Sequence, residues 1–94
     1  FSRLAAIIIS GPREDVTRDF AISLGRSAPR ADGVRILGPA QAQMYRIRGK
    51  YRQRILIQAD KNLDIQKMIA QWIGGIKVPS NIRVQVDIDP QNFL

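Results

Sequence analysis

Tyr51-Arg52-Gln53-Arg54-Ile55-Leu56-Ile57-Gln58-Ala59 is the stretch around which the rest of the chain arranges itself. If Ile55 and Ile57 face a core, then Arg52, Arg54, Leu56 and Gln58 face the other way, which is the period-two pattern of a strand with one covered side. Just upstream, Gly49-Lys50 reads as a hairpin turn, and an extended piece at residues 44–48 leads into it. Further back, residues 34–37 form a short strand that Gly38-Pro39 interrupts.

Residues 3–10 make a first strand. Its consecutive Ala5, Ala6, Ile7, Ile8 and Ile9 indicate burial on both faces, so it belongs in the middle of a sheet. Gly11-Pro12 then opens a helix, with Glu14 and Asp15 complementing the positive end of its dipole. Val16, Phe20 and Leu24 recur every fourth residue as its core stripe, and Pro29 stops it. On the far side of the central strand, Asn62 or Asp64 caps a second helix that carries Ile65, Met68, Ile69, Trp72 and Ile73 on one side and ends at Gly74-Gly75. Trp72 therefore reads as core. Residues 82–88 alternate, with Ile82, Val84, Val86 and Ile88 inward and Arg83, Gln85 and Asp87 outward. The order strand, helix, strand, strand, helix, strand predicts an α+β, βαββαβ ferredoxin-like (split βαβ) two-layer sandwich. Both helices cover one face of a four-stranded antiparallel sheet, and the first and third strands are central.

The 94 residues are enough for one small domain, able to bury about 60 to 65% of its unfolded surface. Apolar residues at 45% and charged ones at 24% fit a globular protein and not a disordered one. The absence of cysteine and histidine removes disulfides, thiolate chemistry and the ordinary zinc ligands, and an intracellular home fits it. No P-loop, dinucleotide fingerprint, nucleophile elbow or metal-binding helix occurs. Asp87 and Asp89, two positions apart before Pro90, read as a strand stop. The chain begins at Phe1 inside a strand, so it reads as a piece excised from a longer protein, and residues 1–94 as a single domain of it.

Charge is the informative part. No acidic residue stands between Asp32 and Asp60, while Arg35, Arg46, Arg48, Lys50, Arg52 and Arg54 do, nearly the whole of the net +7. Arg46 and Arg48 come from one strand and Arg52 and Arg54 from the next, and both pairs are expected to share a face across the hairpin, joined at one edge by Arg83. A row of cations suits a polyanion whose charges repeat along a line, above all a nucleic-acid backbone. The competing account is a strand edge blunted by charge against aggregation, but a solubilising surface would mix both signs. Arginine forks bind phosphate in bidentate fashion. The Tyr51 ring either offers a stacking platform or shares the buried side of Ile55 and Ile57. An RNA-recognition module has the right strand order. Its signature is only brushed by Arg48-Gly49-Lys50-Tyr51-Arg52-Gln53, and the first strand has no aromatic, which disfavours sequence-specific RNA reading.

Ile36-Leu37-Gly38-Pro39, then Arg48-Gly49-Lys50-Tyr51-Arg52-Gln53-Arg54-Ile55-Leu56-Ile57, the helix start Leu63-Asp64-Ile65-Gln66, and the closing Val86-Asp87-Ile88-Asp89-Pro90-Gln91-Asn92-Phe93-Leu94 resemble the C-terminal domain of the primosomal protein N-prime family, the bacterial replication-restart DNA helicases. The resemblance covers nearly the whole chain. It implies a cytoplasmic parent with an N-terminal DNA-binding region, two ATP-hydrolysing lobes that use magnesium, and a cysteine-bound zinc module, none of them in this piece. It also implies a non-catalytic domain that binds single-stranded or forked DNA and helps to dock the acidic tail of single-strand binding protein. Carried onto this sequence, the DNA surface is the segment with Arg48, Lys50, Tyr51, Arg52 and Arg54, to which the charge pattern adds Arg46 and Arg83, and the tail-binding rim is Gln66 with Lys67. Asn62 departs from the cation expected one helical turn before Gln66, and the second hypothesis, a protein-interaction module for an acidic peptide, rests on that rim.

Overall fold

The computed structural model describes residues 2–89, without the side chains of residues 43–45 and 47. Phe1, the closing segment from Pro90 to Leu94 and the Met44 side chain lie outside the described residues. The chain runs β1 (Ser2–Gly11), α1 (Glu14–Arg26), β2 (Val34–Ile47), β3 (Lys50–Asp60), α2 (Ile65–Gly74) and β4 (Arg83–Ile88). All pairings are antiparallel in the order β2-β3-β1-β4, the ferredoxin-like arrangement with β1 and β3 in the middle.

Both helices cover the same sheet face. Ala5, Ile7 and Ile9 of β1 and Ile55, Ile57 and Ala59 of β3 meet Ala21 and Leu24 of α1 and Ile65, Ile69 and Trp72 of α2 in one buried cluster. Register explains the sharing of a face: Ile7 stands opposite Ile55 and Ala5 opposite Ile57, and residues directly opposite each other point the same way. β1 has to approach α1 closely at its end. A Cβ on Gly11 would sit 2.6 Å from Thr17 Oγ1 and 2.7 Å from Ile82 Cδ1, so any larger residue there would have to displace these side chains.

Three local expectations are corrected. The first helix is entered two residues later than Pro12 implies: Arg13, in extended backbone, is the N-cap, and Glu14 and Asp15 form the first turn as expected. The Val16 amide, with help from the Arg13 guanidinium, holds the Asp15 carboxyl below its ordinary pKa. Next, β2 is one strand and not two pieces. Gly38-Pro39, a cis peptide, is absorbed as a register shift between Leu37 and Ala40, and a second shift follows between Gln41 and Arg46. Finally, the hairpin turn is Arg48-Gly49. Both residues have positive φ, +52° and +75°, and Ile47 faces Lys50 across the turn. A two-residue turn of that hand matches the twist of the strands it joins.

Asp64, and not Asn62, caps α2 by accepting the Lys67 amide at 3.0 Å. Gly75 closes that helix.

Candidate nucleic-acid interface

The face of the sheet away from the helices is uncovered, and register arranges it in rows. Arg52 of β3, Ser10 of β1 and Arg83 of β4 form one row. The next holds Ala40, Arg54, Ile8 and Gln85, and the one after it Leu37, Leu56, Ala6 and Asp87. Adjacent strands lie roughly 4.8 Å apart, which puts the Arg52 and Arg83 backbones about 10 Å apart across Ser10. Cations are thus gathered at the hairpin end of the face, an apolar band crosses its middle with Leu37 exposed, and the one carboxylate in these rows, Asp87, sits two rows from Arg83. Arg35 stands opposite Gln58 toward the far end, exposed and apart from the cluster.

Arg46 is not on that face. It stands opposite Tyr51, and its guanidinium carbon lies 5.4 Å from the centroid of the Tyr51 ring, a cation–π arrangement. Tyr51 shares its side of β3 with buried Gln53 and Ile55, so Arg46 lies on the side that the helices occupy elsewhere in the sheet. The physical cause is the two-residue turn, which sets Ile47 opposite Lys50 and therefore Arg46 opposite Tyr51, one residue out of phase with Arg52. Residues 42–45 of β2, set against Arg52 alone, take up the resulting excess of three before the rest of the strand. The expectation that Arg46 shares a face with Arg52 and Arg54 therefore fails.

The turn carries Arg48 and Gly49, both exposed, and exposed Lys50 begins β3. Arg48 and Lys50 thus form a charged tip between the Arg52, Arg54 and Arg83 cluster on one side and the Arg46–Tyr51 pair on the other. The Tyr51 ring is half-buried against its partner.

Gln66 and Lys67 are both exposed in the first turn of α2, in the helix layer and away from the cationic rows. Gln66 also lines a groove with Ile69, Ala70, Ile73, Val86 and Ile88, where α2 stands off β4. Sequence reasoning assigned Ile69, Ile73, Val86 and Ile88 of this groove to the core. The signal for the groove was the position of Val86 on β4, which among the described residues is an edge strand.

The zinc that the resemblance assigns to a parent calls for cysteine or histidine ligands. The chain has neither cysteine nor histidine, and among the described residues no three potential metal ligands come together. Among the described residues no helix is long and apolar enough to cross a membrane.

Known proteins match this sequence over nearly its whole length. The chain is 46% identical over 93 residues to the replication restart protein PriA of Rickettsia prowazekii and 45% identical to that of Rickettsia felis, matches that take in 99% of this chain. A more distant relative, PriA of Treponema pallidum, is 31% identical over 62 residues, 66% of this chain. The chain spans only 14% of the length of the Rickettsia proteins. Residues 1–91 match the model of the primosomal protein N C-terminal domain, and the chain belongs to that family.

Proposed function

We propose that this chain is a non-catalytic DNA-binding domain, the C-terminal part of a larger ATP-dependent helicase that restarts replication in the bacterial cytoplasm. In this reading it recognises the backbone of single-stranded or forked DNA and not its sequence. One observation carries it: Arg52 and Arg83 stand in one row across the open sheet face, Arg54 stands in the next, and the Arg48–Lys50 tip adjoins them. Such spacing suits successive phosphates, and guanidinium forks suit phosphate oxygens. Arg46 and Tyr51 contribute from the other side of the hairpin, where a base can stack on the ring.

Charge reversal tests the assignment. The double variant Arg52→Glu, Arg54→Glu is expected to lose most binding to a fluorescent oligonucleotide in an anisotropy titration while its circular dichroism stays native. Unchanged affinity refutes the role of these residues.

A second reading, docking of an acidic peptide such as the tail of single-strand binding protein, is favoured by the apolar groove that opens beside Gln66 with Lys67 in the same turn. An acidic peptide with an apolar end is then expected to shift the amide resonances of residues 62–68. An oligonucleotide is expected to leave them in place and shift those of β3.

A further inference from the structure

The two edges of the sheet are unlike. β2 is irregular, with two register shifts and a proline that has no N–H to offer a neighbour. β4 has none of these defences: its six residues run in unbroken register with β1, and no proline lies among them. Its outer row of N–H and C=O groups is a template for another strand.

We propose that β4 pairs with β4 of a second copy of this chain, joining two four-stranded sheets into one continuous sheet about a two-fold axis through Gln85. The strand itself argues for this occupant. In antiparallel pairing, residues that oppose each other lie on the same face, so a symmetric pairing has to centre on a residue and not between two. Centred on Gln85, it sets Arg83 opposite Asp87 of the partner subunit on the open face, and Asp87 opposite Arg83 of the partner subunit. On the helix side it sets Val84 opposite Val86 of the partner subunit. Each side chain meets the partner its chemistry wants. Arg83 and Asp87 are exposed, and among the described residues neither is in an ion pair. Val86 lies on the core side of its strand yet is 43% exposed, which a neighbouring strand would reduce.

The axis is perpendicular to the sheet, so both helix layers fall on one side and the two Arg52–Ser10–Arg83 rows on the other. A joint of one short strand per copy is small, so the dimer belongs to the weak, reversible class. It does not depend on nucleic acid.

The test is sedimentation equilibrium of the 94-residue chain without DNA. The mass is expected to rise from 10.6 kDa toward twice that value as concentration passes on the order of 100 µM. Arg83→Asp alone and Asp87→Arg alone each put like charges face to face, and each is expected to weaken association about 10-fold or more. The double variant Arg83→Asp, Asp87→Arg restores the opposition with signs exchanged and is expected to return to within about 3-fold of the parent. Because it carries both changes, it also exposes any loss of fold in the single variants. A monomer at every concentration up to about 1 mM overturns the proposal. So does association that both single variants and the double variant alter alike, or association that needs added oligonucleotide.

Discussion

Trp72 shows what one residue needs in order to be core. Its ring is buried, and its indole N–H donates to Ser27 Oγ at 3.0 Å, whose own hydroxyl donates to the Leu24 carbonyl at 2.8 Å. The serine thus ties the end of α1 to α2. Ser27→Ala leaves the indole N–H without that acceptor and is expected to cost about 1 kcal/mol. In a domain of this size that lowers the thermal midpoint by about 4 to 8 °C, measured by circular dichroism, with the Trp72 emission also altered. The burial of Trp72 was legible in the sequence because its spacing from Ile65, Met68, Ile69 and Ile73 defines one side of a helix. Its partner was not, since a serine 45 positions away carries no periodic signal. The same contrast holds in the candidate interface. Arg52 and Arg54 were placed correctly by alternation with Ile55 and Ile57, whereas Arg46 was misplaced because its face follows from its opposite number across the turn, Tyr51.

Elements were legible to the extent that their boundaries are set by local chemistry. α2 is such a case: Asp64 accepts the Lys67 amide, and Gly75 closes the other end. Removing the cap in Asp64→Ala is expected to cost about 1 kcal/mol, with a chemical denaturation midpoint lowered and the slope unchanged. β2 is the opposite case. Gly38-Pro39 has the composition of a break, yet the strand continues past it because β3 offers an unbroken ladder on which pairing resumes at Ala40 opposite Arg54. Tertiary context decided that element, and no window of a few residues contains it. The hairpin lies between: Gly49 pointed to a turn, and the one-residue error arose because Arg48 supplies the other left-handed position, which is uncommon for a side chain of its size.

For the molecule as a whole, net charge and layer order were both readable in advance, and their relation was not. A domain with net +7 attracts any polyanion at low salt, so attraction alone does not identify a site. The stoichiometry of counterion release is more specific. With about four phosphates neutralised by the hairpin end of the open face, log affinity for single-stranded DNA is expected to fall against log salt with a slope near −3. In the Arg52→Glu, Arg54→Glu variant the slope is expected to become shallower by more than one. A slope that stays the same after reversal places the contacts elsewhere on the surface.

The three-residue excess in β2 ahead of Arg46 has a consequence for how relatives of this domain diverge. Loss or gain of a single amino acid within 42–45 would change the surplus while the two-residue turn still sets Arg46 opposite Tyr51, so the guanidinium would keep its layer of the sandwich. Segment length in that interval is thus uncoupled from the charge of the tip, and indels there are the ones such a domain can absorb with every cation of the hairpin kept in place.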